Sequence, residues 1–323
     1  IAKPEGQALI KRLLKDCDVL VENFKVGDLA RFGLDWESLR ADFPRLVYCS
    51  ITGFGQDGPY APRPGYDYLA QGMGGIMSLT GEPDGTPMKT AVAISDLMAG
   101  MYAAVAILAA LRHRDQSGQG QQIDISLLDC QVAWLSYQAQ HFLTSGAPPS
   151  RLGNQHPTIV PYQVFEATDG FLILAIGNDT QFAKFCEVVG KTEWASDVRF
   201  ATNKARVENR STLIPLVGEI MKARNQADWL AALENAGVPA GPVNRIDQVF
   251  EDAQVKHRQM VTKMAHPLNS QPISLVANPI KMSDSPPSYR FAPPMLGQHS
   301  EDVLKEFGLT EAEIAILQDQ KII

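Results

Sequence analysis

The chain is poor in the residue patterns that mark metal sites, disulfide frameworks and cationic surfaces. Among 323 residues it has four cysteines and six histidines, with no CxxC pair and no HxxxH or HExxH motif. We therefore expect reduced thiols in the core and no metal site. The net charge of −7 excludes a global basic field, so nucleic acid is not an expected partner.

Features of export and membrane insertion are also lacking. There is no initiator methionine, no signal-peptide pattern and no apolar run as long as the ~20 residues of a membrane span. We expect a protein of the cytoplasm, or of an organelle matrix if it is eukaryotic, without a membrane partner. Residues 4–16 already have a helical pattern, so the chain is expected to begin inside a domain, with an amino-terminal portion missing.

Helical and strand patterns alternate in the first half of the chain. A helix at 4–15 precedes an apolar strand at 18–22, and a helix at 36–41 precedes a second strand at 45–51. A further strand follows at 122–126. This alternation predicts an α/β domain with a Rossmann-like parallel sheet.

Two long helices are predicted in the same domain. Ala99–Arg112 is apolar on nearly every face, which indicates a buried, central helix. Leu127–Leu143 has the pattern of a second long helix. Farther along, Tyr162–Ile176 alternates around a turn at 168–170 and predicts a β-hairpin. Helices follow it, so the second half is expected to form a smaller α+β domain.

A literal G-x-G-x-x-G occupies Gly53–Gly58, directly after the second strand. A dinucleotide site would need a helix to begin there, so that its amino end meets the pyrophosphate. The next six residues, 59–64, contain three prolines, which cannot continue a helix. We interpret the segment as a glycine-proline loop.

The chain has no G-x-S-x-G string of a serine hydrolase. A carboxylate is therefore the best remaining candidate for a catalytic group. Asp96 stands between the apolar run Ala91–Ile94 and the alanine-rich helix. The helix macrodipole stabilises an exposed anion there by up to ~1 kcal/mol. Such an anion can attack an acyl group and form a mixed anhydride. By position alone, a plain helix-capping role for Asp96 is the favoured alternative.

A series of strings, in this order, resembles the class III (CaiB/BaiF-type) CoA-transferases over essentially the whole chain. They are DVLVENF at 18–24, PRLVYCSITGFG at 44–55, PGYD at 64–67, DLMAG at 96–100, ALRHR at 110–114, SGQGQ at 117–121, RLGNQHP at 151–157 and AGVPAGPV at 236–243. The resemblance implies an acyl-CoA:carboxylate CoA-transferase with Asp96 as the nucleophile. Coenzyme A or acyl-CoA would be a substrate, with no permanently bound cofactor.

The resemblance also implies site residues and intermediates. Contacts to CoA are expected from the residues that match the family's binding segments, Asn23, Phe24, Lys25, Arg31, Pro64, Gly65, Tyr66 and Asp67. Weaker contacts to the acid are expected from Gly153, Asn154, Gln155 and His156. The cations Lys25 and Arg31 suit phosphates, whereas Phe24 and Tyr66 offer apolar faces. Transfer would pass through an aspartyl anhydride and an aspartyl-CoA thioester, to a small carboxylic acid that we expect to be dicarboxylic.

Two alternatives stay open. Acyl-CoA racemases of the same fold place a histidine where Tyr66 stands, paired with the aspartate as the second acid/base group at the α-carbon. Tyr66 without an adjacent histidine favours transfer over racemisation. The other alternative is a non-catalytic acyl-CoA-binding protein.

The resemblance finally implies an interlocked homodimer and a ring-like path of the chain. The large CoA-binding domain is expected at 1–147 and the small α+β domain at 160–262. A carboxyl-terminal return to the large domain is expected at 293–323. Residues 148–159 and 263–292 would be the two linkers.

Overall fold

The computed structural model describes residues 1–323, and the chain divides into two compact units. Unit 1 comprises Ile1–Gly153 together with Leu296–Ile323, and unit 2 comprises Asn154–Met295. Unit 1 is therefore discontinuous in sequence. The domain and linker bounds drawn from the sequence stay predictions beside this division.

The core of unit 1 is a three-stranded parallel sheet in the order β1-β2-β3. Its strands are β1 Val19–Glu22, β2 Val47–Thr52 and β3 Gln122–Ser126. The central strand β2 begins with four buried residues in a row, as expected for a strand covered on both faces. The helices of residues 1–153 are α1 Pro4–Leu13, α2 Trp36–Leu39, α3 Asp67–Met73, α4 Ile94–Ser117, α5 Leu127–Ala133 and α6 Ser136–Ser145. The predicted α/β class is confirmed.

The prediction of a buried central helix was wrong for α4. Its buried residues are confined to one face, on which the small Ala99, Ala103 and Ala110 pack closely against the unit. Large apolar side chains on the other face are exposed, among them Val105 and Leu108 at 61% and 67%. When a helix is apolar on every face, its sequence does not show which of those faces the rest of the same chain will cover.

The same helix also corrects the expectation that no segment is long and apolar enough to span a membrane. By length and composition alone, α4 could cross one. A single helix of this kind is weak evidence, because the core helix of a soluble protein passes the same test.

The prediction of one long helix over Leu127–Leu143 was also wrong, since the segment forms two helices, α5 and α6. The break lies between Ala133 and Ser136, and the φ of 51° at Ser136 is in the left-handed region, which a continuous right-handed helix cannot contain. Ser136 is polar and short, and the apolar pattern continues across it, so hydrophobic periodicity gave no sign of the break.

Unit 2 begins with the predicted hairpin, which is confirmed. Strands β4 Tyr162–Ala167 and β5 Gly170–Ala175 pair antiparallel, and the short β6 Ala240–Pro242 pairs with β5. A second antiparallel pair, β7 Val261–Met264 with β8 Ile273–Val276, lies within or beside the range predicted as a linker. The helices of the unit are α7 Asp179–Val188, α8 Asn203–Glu208, α9 Arg210–Met221, α10 Gln226–Asn235, α11 Ile246–Glu251 and α12 Ala253–His257.

The core of unit 2 includes one fully buried cation. Arg206 is 0% exposed and donates to the carbonyls of Val160 and Phe200 at 2.6 and 2.9 Å, and to Asp179 at 2.9 Å. Its guanidinium lies 4.3 Å from the ring centroid of Phe182. Because buried charges are tolerated only when paired, this set of partners explains how the arginine is accommodated.

The last two helices, α13 Ser300–Glu306 and α14 Glu311–Asp319, return to unit 1 and pack on α1. Arg12 of α1 donates to Glu313 at 2.7 Å. Glu313 also completes a capping box with Thr310 at the start of α14. The hydrogen bonds from Thr310 and Arg12 lower the pKa of Glu313 to about 2.

Two loops of unit 1 touch backbone to backbone at Gly53 and Gly65. A methyl group on either residue would overlap the Cα of the other. Gly53 follows β2, and Gly65 lies two residues before α3, so the contact fixes where α3 begins relative to the sheet. Only glycine permits so close an approach of two backbones.

We expect Gly53→Ala to destabilise the protein by about 1–3 kcal/mol, because the neighbouring backbone has no room to move aside. Gly218→Ala is the matched control. Gly218 lies inside α9 with no atom within 4 Å of an added Cβ, so alanine should raise stability there by up to about 1 kcal/mol. Urea unfolding of both variants measures the difference, and equal stability of the two would contradict the close contact.

Candidate functional site

A cavity of about 510 Å³ opens at the carboxyl ends of the three parallel strands. Ligands of parallel α/β sheets bind at this edge, because the loops leaving the strands diverge there. The lining comes from the loops after the strands and from the first turns of α3 and α4. The lining residues are Asn23, Phe24, Lys25, Val26, Ile51, Thr52, Gly53, Ala61, Arg63, Pro64, Gly65, Tyr66, Asp67, Asp96, Gly100 and Leu127.

Asp96 lies in the first turn of α4 and faces this cavity. Its residue is exposed, and its carboxylate accepts no hydrogen bond from the protein. The residue at the N-cap position is Ala93, which has no side chain able to cap the helix. The plain capping role for Asp96, favoured by position alone, is therefore contradicted.

The helix is instead held by Asp67, from the start of α3. Asp67 Oδ1 accepts a hydrogen bond from the backbone N–H of Ser95 at 2.8 Å, and Asp67 Oδ2 accepts one from Gln71 Nε2 at 2.7 Å. The Ser95 N–H is one of the four that a helix leaves unpaired at its amino end. Asp67 lines the cavity, but both of its oxygens are already used within the protein.

The electrostatics of Asp96 differ from the simple expectation at a helix terminus. Partial burial raises the pKa of the Asp96 carboxyl above its ordinary value, and the nearby Asp67 carboxylate adds to the increase. Both effects raise the pKa, whereas the helix macrodipole taken alone would lower it. A raised pKa makes the ionised carboxylate more basic and therefore a better nucleophile toward an acyl carbon.

The loop after β1 brings three predicted residues, Asn23, Phe24 and Lys25, to the cavity. The backbone N–H of Phe24 donates to the Glu22 carboxylate at 2.8 Å, which fixes the turn out of the strand. The ring of Phe24 is 44% exposed and Lys25 is exposed as well. The loop thus presents an apolar face and a cation side by side.

The loop before α3 contributes Pro64, Gly65 and Tyr66, again as predicted for this group. Tyr66 is 71% exposed, so it is not a core residue. Arg63 also lines the cavity, and its guanidinium lies 4.1 Å from the ring centroid of Tyr60. The cavity therefore has two cations, Lys25 and Arg63, on different loops.

Arg31 is the one predicted CoA contact that does not line the cavity. Its guanidinium lies 3.6 Å from Asp28 and 4.8 Å from the ring centroid of Phe32. The side chain is mostly exposed. The match of Arg31 to a family motif predicted a contact to phosphate. A sequence motif does not determine which way a long side chain points.

The four predicted acid contacts belong to the segment where unit 1 gives way to unit 2. Gly153 is part of unit 1, and its N–H donates to the carbonyl of Gly81 at 3.0 Å. Asn154, Gln155 and His156 belong to unit 2. None of the four lines the cavity.

Within unit 2, Arg210 holds Gln155 and His156. It donates to Gln155 Oε1 at 3.1 Å and to the carbonyl of His156 at 2.7 Å. Burial, followed by the Arg210 charge, lowers the pKa of His156. The Nδ1 atom of His156 accepts from the N–H of Thr158 at 3.2 Å, which suits a neutral ring.

Sequence reasoning missed two features of the cavity. Gly53 lines it, although the glycine-rich string that contains Gly53 was set aside as a loop. Gly100 lines it one helical turn after Asp96, on the same face, and leaves open space where a side chain would stand. The spacing of four between Asp96 and Gly100 was the available signal.

No group of three or more histidine, cysteine, aspartate or glutamate side chains is close enough to hold a metal ion. This arrangement supports nucleophilic or acid/base chemistry by one accessible carboxylate, Asp96. That carboxylate shares the cavity with two cations and two exposed aromatic side chains.

Comparison with known proteins gives consistent matches. The model of CoA-transferase family III matches residues 1–300. The succinate–glutarate CoA-transferase of Agrobacterium fabrum is 49% identical over 308 residues, which cover 95% of this chain and 77% of that protein. The succinyl-CoA:glutarate CoA-transferase of Homo sapiens is 40% identical over 306 residues, covering 95% and 70%. The succinyl-CoA:mesaconate CoA-transferase of Haloarcula hispanica is 34% identical over 317 residues, covering 94% and 77%.

Solved structures agree with these relatives. A CaiB/BaiF family protein from Brucella suis superposes with a TM-score of 0.83 at 46% identity, covering 94% of this chain and 79% of that one. A protein from Mycobacterium tuberculosis has the same TM-score at 22% identity, covering 93% and 80%, and shows the shared fold alone. The predicted enzyme class, an acyl-CoA:carboxylate CoA-transferase, is confirmed by the relatives. The chain belongs to CoA-transferase family III.

Proposed function

We propose that this chain moves CoA from a dicarboxylic acyl-CoA to a free dicarboxylic acid, with Asp96 as the covalent nucleophile. The observation that carries the proposal is the Asp96 carboxylate, which opens into the cavity and is engaged by no donor of the protein. The names of the relatives support the substrate class, because each joins succinate or succinyl-CoA to a second dicarboxylic acid.

The first half-reaction breaks the donor thioester. An oxygen of ionised Asp96 attacks the thioester carbon, and CoA leaves as the thiolate, which gives a mixed anhydride between Asp96 and the donor acid. The thiolate then attacks the aspartyl carbonyl of that anhydride. The donor leaves as a free carboxylate, and Asp96 carries CoA as a thioester.

The second half-reaction repeats these steps with the acceptor. Its carboxylate attacks the aspartyl carbonyl and expels the CoA thiolate, so that a second anhydride forms. The thiolate attacks the acceptor carbon of this anhydride, which releases acyl-CoA and restores the Asp96 carboxylate. Every step forms an oxyanion, for which backbone N–H groups near the cavity are the expected donors.

The walls of the cavity suit CoA. Lys25 and Arg63 provide positive charge for phosphates in a protein whose net charge is −7. Phe24 and Tyr66 provide exposed apolar faces for the adenine or the pantetheine arm. These contacts would hold the thioester next to Asp96 while leaving the acyl group free to exchange.

Racemisation is the less favoured alternative because the cavity contains no histidine among its lining residues. A racemase needs two acid/base groups, one on each face of the α-carbon. Asp67, the other carboxylate in the cavity, has both oxygens engaged by Ser95 and Gln71. The interlocked homodimer remains a proposal that rests on the family resemblance, and the cytoplasmic location remains an expectation from sequence patterns alone.

Trapping of the covalent intermediate tests the proposal. Succinyl-CoA with hydroxylamine should leave a hydroxamate on Asp96, detectable by mass spectrometry of the digested protein. Asp96→Asn should lose the adduct and at least about 10³-fold of the transfer rate. Asp115→Asn, which removes an exposed carboxylate from the other end of α4, should retain both. Solvent deuterium entering the α-carbon of a chiral acyl-CoA without CoA exchange would instead indicate a racemase.

The raised pKa of Asp96 also predicts a change in stability. A carboxyl whose pKa is higher in the folded protein than in the unfolded chain destabilises the fold when ionised. The penalty is complete above the folded-state pKa and absent below the unfolded value of about 3.9. Asp96→Asn should therefore be more stable than the native protein at pH 7, and the difference should vanish as the pH falls toward about 4. Urea unfolding at both pH values measures this, and a less stable variant at pH 7 would contradict it.

The two cations can be tested against Arg31, which lies outside the cavity. Lys25→Ala should weaken CoA binding by about 1–2 kcal/mol, roughly tenfold, because it removes a charge-assisted contact to phosphate. Arg31→Ala should have a smaller effect, since its guanidinium is turned to Asp28 and Phe32. Isothermal titration with CoA at two salt concentrations compares them. Equal losses would mean that Arg31 turns into the site when CoA binds.

A further inference from the structure

Behind Asp96, three uncharged polar side chains from three different helices are buried. Gln71 of α3 is 0% exposed, Ser95 of α4 is 1% exposed and Gln131 of α5 is 2% exposed. Few other polar residues of the protein are buried to this extent. Buried polar groups destabilise a fold unless they are hydrogen-bonded, so the placement of these three calls for an account of their partners.

Each of them is tied to the segment that leads into Asp96. Gln71 makes one bond of each kind, since its Nε2 donates to Asp67 Oδ2 and its Oε1 accepts from the N–H of Thr90 at 2.9 Å. Ser95 Oγ donates to Gln131 Oε1 at 2.9 Å. The chain is thus fixed on α3 at Thr90, six residues before Asp96, and on α5 at the residue immediately before it.

The carboxylate of Asp67 joins the two sets of contacts. Its Oδ1 accepts from the N–H of Ser95, and its Oδ2 is oriented by Gln71. Asp67, which belongs to the neighbouring helix α3, thereby caps the amino end of α4. Ala93 at the N-cap position has no side chain that could do so. The first turn of α4 is held by its neighbours on both sides, while the Asp96 side chain itself makes no hydrogen bond.

We propose that Gln71 and Gln131, acting with Asp67, are positioning residues that fix the first turn of α4 and so aim the Asp96 carboxylate at the acyl carbon. This inference rests on the proposed function, because it assigns a purpose to the contacts around the proposed nucleophile. Gln71 and Gln131 do not line the cavity, so they are not placed to contact a substrate in it. They act through Thr90 and Ser95, and their contribution is expected in the rate of attack rather than in binding.

The charge of Asp67 adds an electrostatic part to this arrangement. The titratable side chains that face the cavity with Asp96 are Lys25 after β1, Arg63 and Tyr66 before α3, and Asp67 on α3. Strand β2 contributes only Ile51 and Thr52, and α5 contributes only Leu127. Among these charged groups, Asp67 is the one whose charge raises the pKa of Asp96, after partial burial of Asp96 itself.

The experiment follows single-turnover formation of the covalent adduct from succinyl-CoA. Gln71→Met and Gln131→Met keep the size of the side chain and remove its hydrogen bonds. Each should slow the adduct about 10- to 100-fold, because misplacement of a reacting group by about 1 Å has a cost of that order. The dissociation constant for CoA should change by less than about threefold in both. Gln140→Met, an exposed glutamine of α6 bonded only to Thr144, is the matched control and should react like the native protein.

Two further measurements separate positioning from loss of structure. If the Ser95–Gln131 bond is the cause, Ser95→Ala should slow the adduct as Gln131→Met does, and the double variant should be no slower than either one. Asp67→Asn keeps an acceptor for the Ser95 N–H, loses the bond from Gln71 Nε2 and removes the charge. Without the charge, the acid limb of the pH–rate profile should move to lower pH. A merely structural role for these residues would not shift that limb.

The outcomes are distinct. A native protein that forms no adduct overturns the proposed function itself. A native protein that forms the adduct, with glutamine variants that react equally fast, overturns the positioning role alone. Losses of rate matched by equal losses in CoA binding also overturn the positioning role, and an unmoved acid limb in Asp67→Asn overturns the electrostatic role of the Asp67 charge.

Discussion

The amino end of α4 is capped by a carboxylate that comes from another helix, and the rest of the site depends on this contact. A helix leaves four N–H groups unpaired at its start, and a nearby aspartate would ordinarily accept from one of them. Asp67 occupies that position through the Ser95 N–H, so Asp96 does not need to. An acidic side chain can then stand in the first turn of a helix and still be available to a ligand.

Close backbone approach provides the second condition. Because Gly53 and Gly65 touch without side chains between them, the start of α3 is drawn against the end of β2. Asp67 begins α3 and therefore reaches the first turn of α4. The glycine contact therefore places the capping carboxylate of Asp67, and that cap in turn leaves the Asp96 carboxylate exposed. Both steps require the chain order β2, loop, α3, α4.

Much of this could be read from the sequence, for reasons that are local. The strands at 19–22 and 47–52 are rich in β-branched residues, and segments that follow parallel strands converge at one edge. The family strings singled out Asn23–Lys25 and Asp96, which line the cavity at that edge, whereas Gly53 at the same edge was missed. The exposed face of α4 and the break at Ser136 could not be read, because both depend on which neighbours are present rather than on periodicity. The buried amides of Gln71 and Gln131 look like ordinary surface residues in sequence, since glutamine is usually exposed.

The path of the chain has a consequence for synthesis. Every element of unit 2 lies between residues 154 and 295, so that unit has all its parts as soon as it leaves the ribosome. Unit 1 does not, since α13 and α14 cover the apolar side of α1 and are translated only after the whole of unit 2. Leu9 and Leu13 therefore lack the cover of α13 and α14 until both helices have been translated, and closing that contact joins residues about 300 positions apart. A ribosome that pauses after residue 295 would hold a complete second unit and an unfinished first one, whose uncovered apolar surface is of the kind that chaperones bind.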